Sequence, residues 1–372
     1  MMSTRKVLTL VLILSMLLTL MPFAPLVKAQ DQKITFSIAW NFNPPPVGHF
    51  NFFVHGFLGW LGNGFVLEPL THRFNYNGTH IPGIAINWTL AEDYSYLKVT
   101  IRQGVKWHDG EEFTTMDIYA TFLLLGIKPE VYPFKFTDIK EIKIIDDYNI
   151  EFYMDKPRTS LPMAVLWHFD YVPYHQYKDI VDKILERIKE TGKTPFDDPE
   201  LFKDIREELL NFRPKTLIGT GPFKLSKVTE SEIILEKFKD YWNGEPEIDQ
   251  IIFKKVTSAD VMYQMLLNGE LDWYWGTPTP EQLEAFEKSG LFEIIKIIRP
   301  LGPSLVFNFK KYPLNIKEVR QAIAYAINRT ELAFIEWPIG GIPETHLVGF
   351  ASVYIPVYLN ESFRSQYLDR WK

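Results

Sequence analysis

Trp273-Tyr274-Trp275 places three aromatic rings in succession, and further rings lie early in the chain at Trp40, Phe50, Phe52, Phe53 and Trp60. Flat rings of this kind stack on sugar faces through C–H to π contacts, and the amides of Asn41, Asn43, Asn51 and Asn308 can exchange hydrogen bonds with hydroxyls. Aromatic residues make up 15% of the sequence, so most must simply fill cores. The triplet is different. Successive side chains of an extended segment point to opposite sides, so three consecutive rings cannot all face inward. Trp40, Asn41, Asn43, Trp60, Trp273, Tyr274, Trp275 and Asn308 are therefore the candidate ligand-binding residues.

Catalytic chemistry finds less support. A glycoside hydrolase needs two carboxylates about 5 to 10 Å apart, and no pair among the many acidic residues stands out. The Gly-x-Ser-x-Gly elbow of serine hydrolases and the His-Glu-x-x-His of zinc hydrolases are both missing. Of the eight histidines, His49 and His55 are six apart and His168 and His175 seven apart, which are not tight metal spacings. Gly219-Thr220-Gly221 is a weak phosphate signal, because Pro222 lacks the backbone donor such a loop would use. No catalytic residue, metal or cofactor is expected; a secreted glycoside hydrolase is the alternative from another class.

The elements that position these residues read as α/β. Lys33 to Trp40 alternates as a strand, then opens into Asn41-Phe42-Asn43-Pro44-Pro45-Pro46, an irregular cleft-lining or crossover loop. Leu97 to Arg102 alternates as a second strand, and Glu141 to Ile145 with Asn149 to Met154 form a hairpin turning at Asp146-Asp147. Lys178 to Arg213 carries two charged helices, the second started by Asp198-Pro199, and reads as an amphipathic surface excursion. Gly219 to Lys224 starts a strand, and Ile233 to Phe238 returns as its hairpin partner. After Gln250 to Val256 comes a helix near Ser258, with Val261, Met262, Met265 and Leu266 inward and Gly269 as its stop. Thr279-Pro280-Glu281-Gln282 opens another helix that ends at Gly290. Asn315 and Glu318 are placed to cap a core helix bearing Ile316, Val319, Ala322, Ile323, Ala326 and Ile327 on one face.

Arg5 and Lys6, the apolar run Val7 to Leu20, Pro22, Pro25 and the small residue Ala29 form a secretory signal peptide over 1–29, too short for a span of about 20 residues. With a formal charge of −6, which its removal would make more negative, the chain is a poor partner for nucleic acid or anionic lipid. No cysteine is present, so an exported chain must hold itself together by its cores, for which 46% hydrophobic residues suffice. Asn77, Asn87, Asn328 and Asn360 begin glycosylation-type triplets, a common chance match.

Gly104-Val105-Lys106-Trp107-His108-Asp109-Gly110-Glu111-Glu112-Phe113-Thr114-Thr115-Met116-Asp117-Ile118 reads physically as a strand end, a turn at Asp109-Gly110 and a helix capped by Thr114 and Asp117. It resembles the signature of solute-binding protein family 5, the peptide, nickel and oligosaccharide receptors of ABC importers. Val172-Pro173-Tyr174-His175, Gly219 to Phe223, Lys239 to Asp249, Leu267 to Asp272, Phe307-Asn308 and Val319 to Arg329 are similar to the same family, in order along the chain.

The resemblance implies a two-lobed periplasmic-binding-protein-like fold of type II that closes on its ligand. Residues 30–65 and 214–276 would form the first lobe, 66–213 a second domain packed on it, and 277–372 the start of the ligand-facing lobe. It also implies an extracellular or cell-surface protein, expected to be monomeric, that carries no cofactor and has no catalysis of its own. It would deliver an oligosaccharide of β-glucan or cellobiose type, or an oligopeptide, to a membrane permease driven by cytoplasmic ATPases. The family normally runs further at the C-terminus, so the ligand-facing lobe is expected to be truncated here and the ligand enclosed on fewer sides.

Overall fold

The computed structural model describes residues 33–41, 43, 49–54, 64–73, 80–128, 139–157, 164–168, 171–295, 305–336, 341 and 362. The expected signal peptide, the prolines at 44–46, His55, Trp60, the Asn77 triplet and Asn360 with Glu361 lie outside the described residues. The chain divides after Ile34, and every element below belongs to the unit Thr35–Lys372.

Two four-stranded sheets dominate the described residues. The first joins β1 (Thr35–Trp40) to β10 (Gln250–Lys255), β9 (Glu232–Lys237) and β8 (Phe223–Val228), in that spatial order. Its β1–β10 pair is parallel, with Thr35 opposite Gln250 and Trp40 opposite Lys255. The β10–β9 and β9–β8 pairs are antiparallel hairpin partners. A strand from near the start of the chain is thus sewn to strands more than 180 residues later.

The second sheet is antiparallel, in the order β4 (Ala85–Leu90), β5 (Tyr96–Ile101), β7 (Asn149–Met154) and β6 (Ile139–Asp146). A short ribbon pairs β2 (Thr71–Arg73) with β3 (His80–Pro82). On β5, Leu97, Val99 and Ile101 are buried while Tyr96, Lys98 and Thr100 are half-exposed, the period-2 pattern of a sheet with one solvated face.

Helix α1 (Thr115–Ile127) covers the buried side of that sheet, and its start is fixed by a capping box between Thr114 and Asp117. Asp117 does more than cap. One carboxylate oxygen accepts from the Thr114 N–H at 2.7 Å and the other from the Tyr174 N–H at 2.7 Å, which pins the start of α2 (Tyr174–Thr191) to the start of α1.

The two charged helices depart from a surface excursion. Ile180, Val181 and Ile184 of α2 and Ile205 and Leu209 of α3 (Lys203–Asn211) are buried in the same cluster as α1 and the second sheet. Only their polar faces meet water. The helical period locates an apolar stripe without saying how large a core it joins.

Three further helices follow: α4 (Ala259–Leu267), α5 (Pro280–Ser289) and α6 (Lys317–Ala326), the last leading to α7 (Arg329–Glu336). Ser258 caps α4, and Thr279 with Gln282 forms a capping box on α5. Two expectations need correction. Val261 is 49% exposed and faces outward, while Met262 and Leu266 are buried. Helix α6 begins at Ile316 with no side-chain cap from Asn315, and none of its residues is buried. Its stripe is real, but burial requires a partner surface that periodicity does not supply.

The cluster beneath the first sheet closes through an unusually tight backbone contact. The N–H groups of Gly221 and Phe223 donate to the carbonyls of Val66 and Phe65, each at 2.9 Å. A Cβ on Gly219 would stand 1.8 Å from the Val66 oxygen, and one on Gly221 would stand 2.4 Å from the Phe65 oxygen. Neither neighbour is a side chain that can swing away. Gly219→Ala and Gly221→Ala should therefore each destabilise the protein by about 3 kcal/mol or prevent folding. Gly192→Ala, where only a positive φ of 68° is at stake, should cost about 1 kcal/mol by urea denaturation.

Candidate ligand-binding site

The candidate residues collect at the C-terminal ends of β1 and β10. Trp40 is half-buried and meets Phe253 edge-on at 6.5 Å. Asn41 follows it, exposed. The Asn43 side-chain oxygen accepts from the Lys255 ammonium at 3.3 Å.

The aromatic triplet reaches β1 from the other side. The Asp272 N–H donates to the Ser37 carbonyl at 2.9 Å, and the Ser37 N–H donates to an Asp272 carboxylate oxygen at 2.7 Å. Trp273 then bridges Ile38 in parallel register. Alternation along this extended piece sorts the rings. Tyr274 turns inward onto Tyr263 at 5.3 Å, in the cluster that also holds Leu266 and Phe286. Trp273 and Trp275 turn outward, 38% and 54% exposed, with centroids 6.2 Å apart and planes at 74°.

Other candidates are placed elsewhere. Asn308 is exposed in a turn of its own, where its side-chain oxygen accepts from the Lys310 N–H at 3.0 Å. Trp60 lies outside the described residues. Phe50 and Phe53 are core residues, and Asn51 is fully buried. The Asn51 amide donates to the carbonyls of Leu209 and Phe212 at 2.5 and 3.2 Å, and its oxygen accepts from the Phe53 N–H at 2.9 Å. It joins two segments of chain, and no hydroxyl ligand can reach it.

Two buried ionisable residues outside the candidate set hold the joint between residues 65–68 and 219–221, at the start of β8. The Gly219 N–H donates to Nδ1 of His108 at 3.2 Å, so Nε2 carries the proton and donates to the Gly221 carbonyl at 2.9 Å. Burial holds this imidazole down at about 4, which keeps it neutral. Glu68, 2% exposed, accepts from the Tyr241 hydroxyl at 2.5 Å and the Trp242 indole at 3.0 Å, and Thr220 also donates to it. Burial pushes its carboxyl up to about 7 against the pull of those three donors. The signal available for Glu68 was a single acid inside Val66-Leu67-Glu68-Pro69-Leu70; for His108 it was the family signature itself.

Residues 79–349 match the family model of bacterial extracellular solute-binding proteins, family 5. The chain belongs to this family. A dipeptide-binding protein of Escherichia coli is 25% identical over 288 residues, covering 72% of this chain and 49% of the relative. A glutathione-binding protein of Salmonella paratyphi A is 23% identical over 280 residues, covering 74% and 49%. The chain thus spans about half the length of these curated relatives.

Solved members of the family share its α/β periplasmic-binding-protein fold. The periplasmic oligopeptide-binding protein of Thermotoga maritima, determined with mannohexaose, superposes with a TM-score of 0.62 at 22% identity, covering 83% of this chain and 54% of that one. The peptide-bound DppA of Helicobacter pylori gives 0.56 at 20% identity, covering 82% and 58%.

The two buried ionisable groups predict opposite pH slopes. Glu68 binds its proton more tightly folded than at its ordinary 4.5, so its contribution is full below that pH and is lost as pH rises through about 7. His108 binds its proton less tightly folded than at its ordinary 6.5, so its contribution is full above that pH and is lost as pH falls toward about 4. Between pH 4.5 and 6.5 the two offset each other. Denaturant titrations across that window should show stability rising more steeply with pH in Glu68→Gln and falling with pH in His108→Gln, relative to the parent. Parallel profiles for all three would show that neither group titrates as described.

Proposed function

We propose that this protein is the ligand-capturing component of an ABC importer, working outside the membrane and handing an oligopeptide to a permease. The observation that carries the reading is the outward Trp273–Trp275 pair at the ends of β1 and β10, in a chain whose relatives are named for dipeptide and glutathione binding. Exposed indoles at a strand end cost solvation unless something covers them, and a ligand that is covered only when bound fits that role. Trp40, Asn41 and Asn43 line the same edge and complete the proposed ligand-facing surface. In this reading the β1–β10–β9–β8 sheet is the framework of the first lobe, the β4–β5–β7–β6 sheet with α1 to α3 is the second domain, and the region from α5 onward opens the ligand-facing lobe.

Oligosaccharide capture is the second reading. The outward rings could stack on sugar faces, and the Thermotoga neighbour was determined with mannohexaose. In either case the protein captures its ligand and does not turn it over. Products appearing after incubation with cello- or manno-oligosaccharides would favour the glycosidase alternative.

Thermal shift with peptide and oligosaccharide panels identifies the class, because a ligand bound only by the folded state raises the melting temperature. With a ligand in hand, Trp273→Ala or Trp275→Ala should weaken binding about tenfold, roughly 1.4 kcal/mol, while changing stability by no more than about 0.5 kcal/mol. Tyr274→Ala should instead destabilise the fold by about 2 kcal/mol or more. Full affinity in both tryptophan variants would remove this edge as the binding site.

A further inference from the structure

The edges of the two main sheets are not protected alike. Strand β6 closes one edge of the second sheet with Lys140, Glu141, Lys143 and Asp146 exposed along it, and β8 closes an edge of the first with Lys224 and Lys227 exposed. Charges of this kind keep an open row of backbone groups from pairing with another chain. Strand β4, the other edge of the second sheet, reads Ala85-Ile86-Asn87-Trp88-Thr89-Leu90 and carries none. Its Ile86, where the register shifts against β5, is 45% exposed.

The same strand holds the triplet Asn87-Trp88-Thr89, the acceptor pattern for attachment of a sugar chain to an asparagine amide. The pattern by itself is a common chance match, so its presentation by the fold decides. Asn87 and Thr89 lie two apart on an extended strand and pair with Thr100 and Lys98, so both side chains point to the solvated face of the sheet. Both residues are exposed, and neither the amide nor the hydroxyl has a partner among the described residues. Trp88 points the other way, half-buried against the second core with its ring centroid 6.2 Å from that of His80, which turns the one bulky member of the triplet away from the acceptor face. Asn328-Arg329-Thr330 is presented differently. The Asn328 oxygen accepts from the Glu331 N–H at 3.1 Å, its amide donates to the Glu331 carboxylate at 3.3 Å, and Thr330 is already within helix α7.

We propose that Asn87 carries an N-linked glycan that covers the uncharged β4 edge. The chain belongs to a family of extracellular proteins, so it crosses to the side of the membrane where lipid-linked sugars meet exported chains. In the transfer, Nδ2 of Asn87 forms a bond to the anomeric carbon of a sugar chain carried on a lipid diphosphate. The bond from that carbon to the diphosphate oxygen breaks, its electron pair leaves on the lipid diphosphate, and Nδ2 gives up one proton. No hydrogen bond of the fold is lost, because the Asn87 amide makes none. A hydrated sugar chain on an edge residue excludes a second strand by bulk, as the lysines of β6 and β8 do by charge. The inference is independent of where the ligand binds.

The test starts from the full-length protein purified from the cells that produce it, digested and read by peptide mass spectrometry. The peptide containing Asn87 should be heavier by whole sugar residues. Thr89→Val, made in the same cells, keeps the asparagine but breaks the triplet and should lose that mass entirely, whereas Thr89→Ser should keep it. An Asn87 peptide found only at its bare mass overturns the proposal, as does sugar persisting on that peptide in Thr89→Val. For the covering role, bare protein from a host without the transferase should self-associate at about tenfold lower concentration than the glycosylated protein by light scattering, and Ile86→Lys should return the bare form to a monomer. Bare and glycosylated forms that associate equally, or association that Ile86→Lys does not relieve, overturn the covering role.

Discussion

The carbonyls of Phe65 and Val66 decide where the rest of the first sheet can go. Two N–H groups from the stretch Gly221 to Phe223 bond to them at 2.9 Å, and that stretch begins β8, the start of the β8–β9–β10 array. The contact exists only because residues 219 and 221 lack a Cβ, since a methyl at either position would overlap carbonyl oxygen. Once it forms, β10 is presented to β1, whose other side takes the Trp273 bridge. Long-range backbone pairing of this kind carries a loop-closure cost that local hairpins do not. The tightness of the joint and the polar groups gathered at it offset that cost.

Those polar groups share a logic. His108 hydrogen-bonds on both ring nitrogens to the backbone on either side of Thr220, while Thr220 itself donates to Glu68. Tyr241 and Trp242 close on the same carboxylate, and the Arg102 guanidinium stacks 4.6 Å from the Trp242 ring centroid. A neutral imidazole and a buried carboxyl are poor contributors of raw stability, because each is desolvated. They contribute uniqueness: an alternative docking of 219–221 on 65–68 would strand several buried donors and acceptors at once. Asn51 and Asp117 act the same way on the second core, each joining segments distant in sequence through backbone groups.

This division explains what could be read from the sequence. Strands and helix caps were legible, since alternation in Leu97, Val99 and Ile101, the Thr114–Asp117 box and the Thr279–Gln282 box are local signals. The inward turn of Tyr274 between two outward indoles follows from extended-chain geometry once the segment is known to pair with β1. Burial of polar residues was not legible. Asn51 and Glu68 look like surface residues by type, and only the distant carbonyls and donors that meet them make their burial tolerable. Helix α6 failed in the opposite direction, because its apolar stripe specifies a side of the helix and says nothing about what covers it.

The residues that carry the family resemblance and those proposed to meet ligand occupy different physical environments, and the reason is mechanical. Trp107, Asp117, Gly219 and Gly221 lie in joints or cores, where a change of one atom meets backbone or leaves a buried group unpaired. The motif from Leu267 to Asp272 ends on a carboxylate that locks the Ser37 N–H, and the two outward indoles begin immediately after it. Asp272 fixes the depth and register at which whatever follows is presented, while Trp273 and Trp275 turn their rings toward each other and solvent. A chain built this way can alter the surface it presents by exchanging side chains at strand ends, while the joints between distant segments stay as they are.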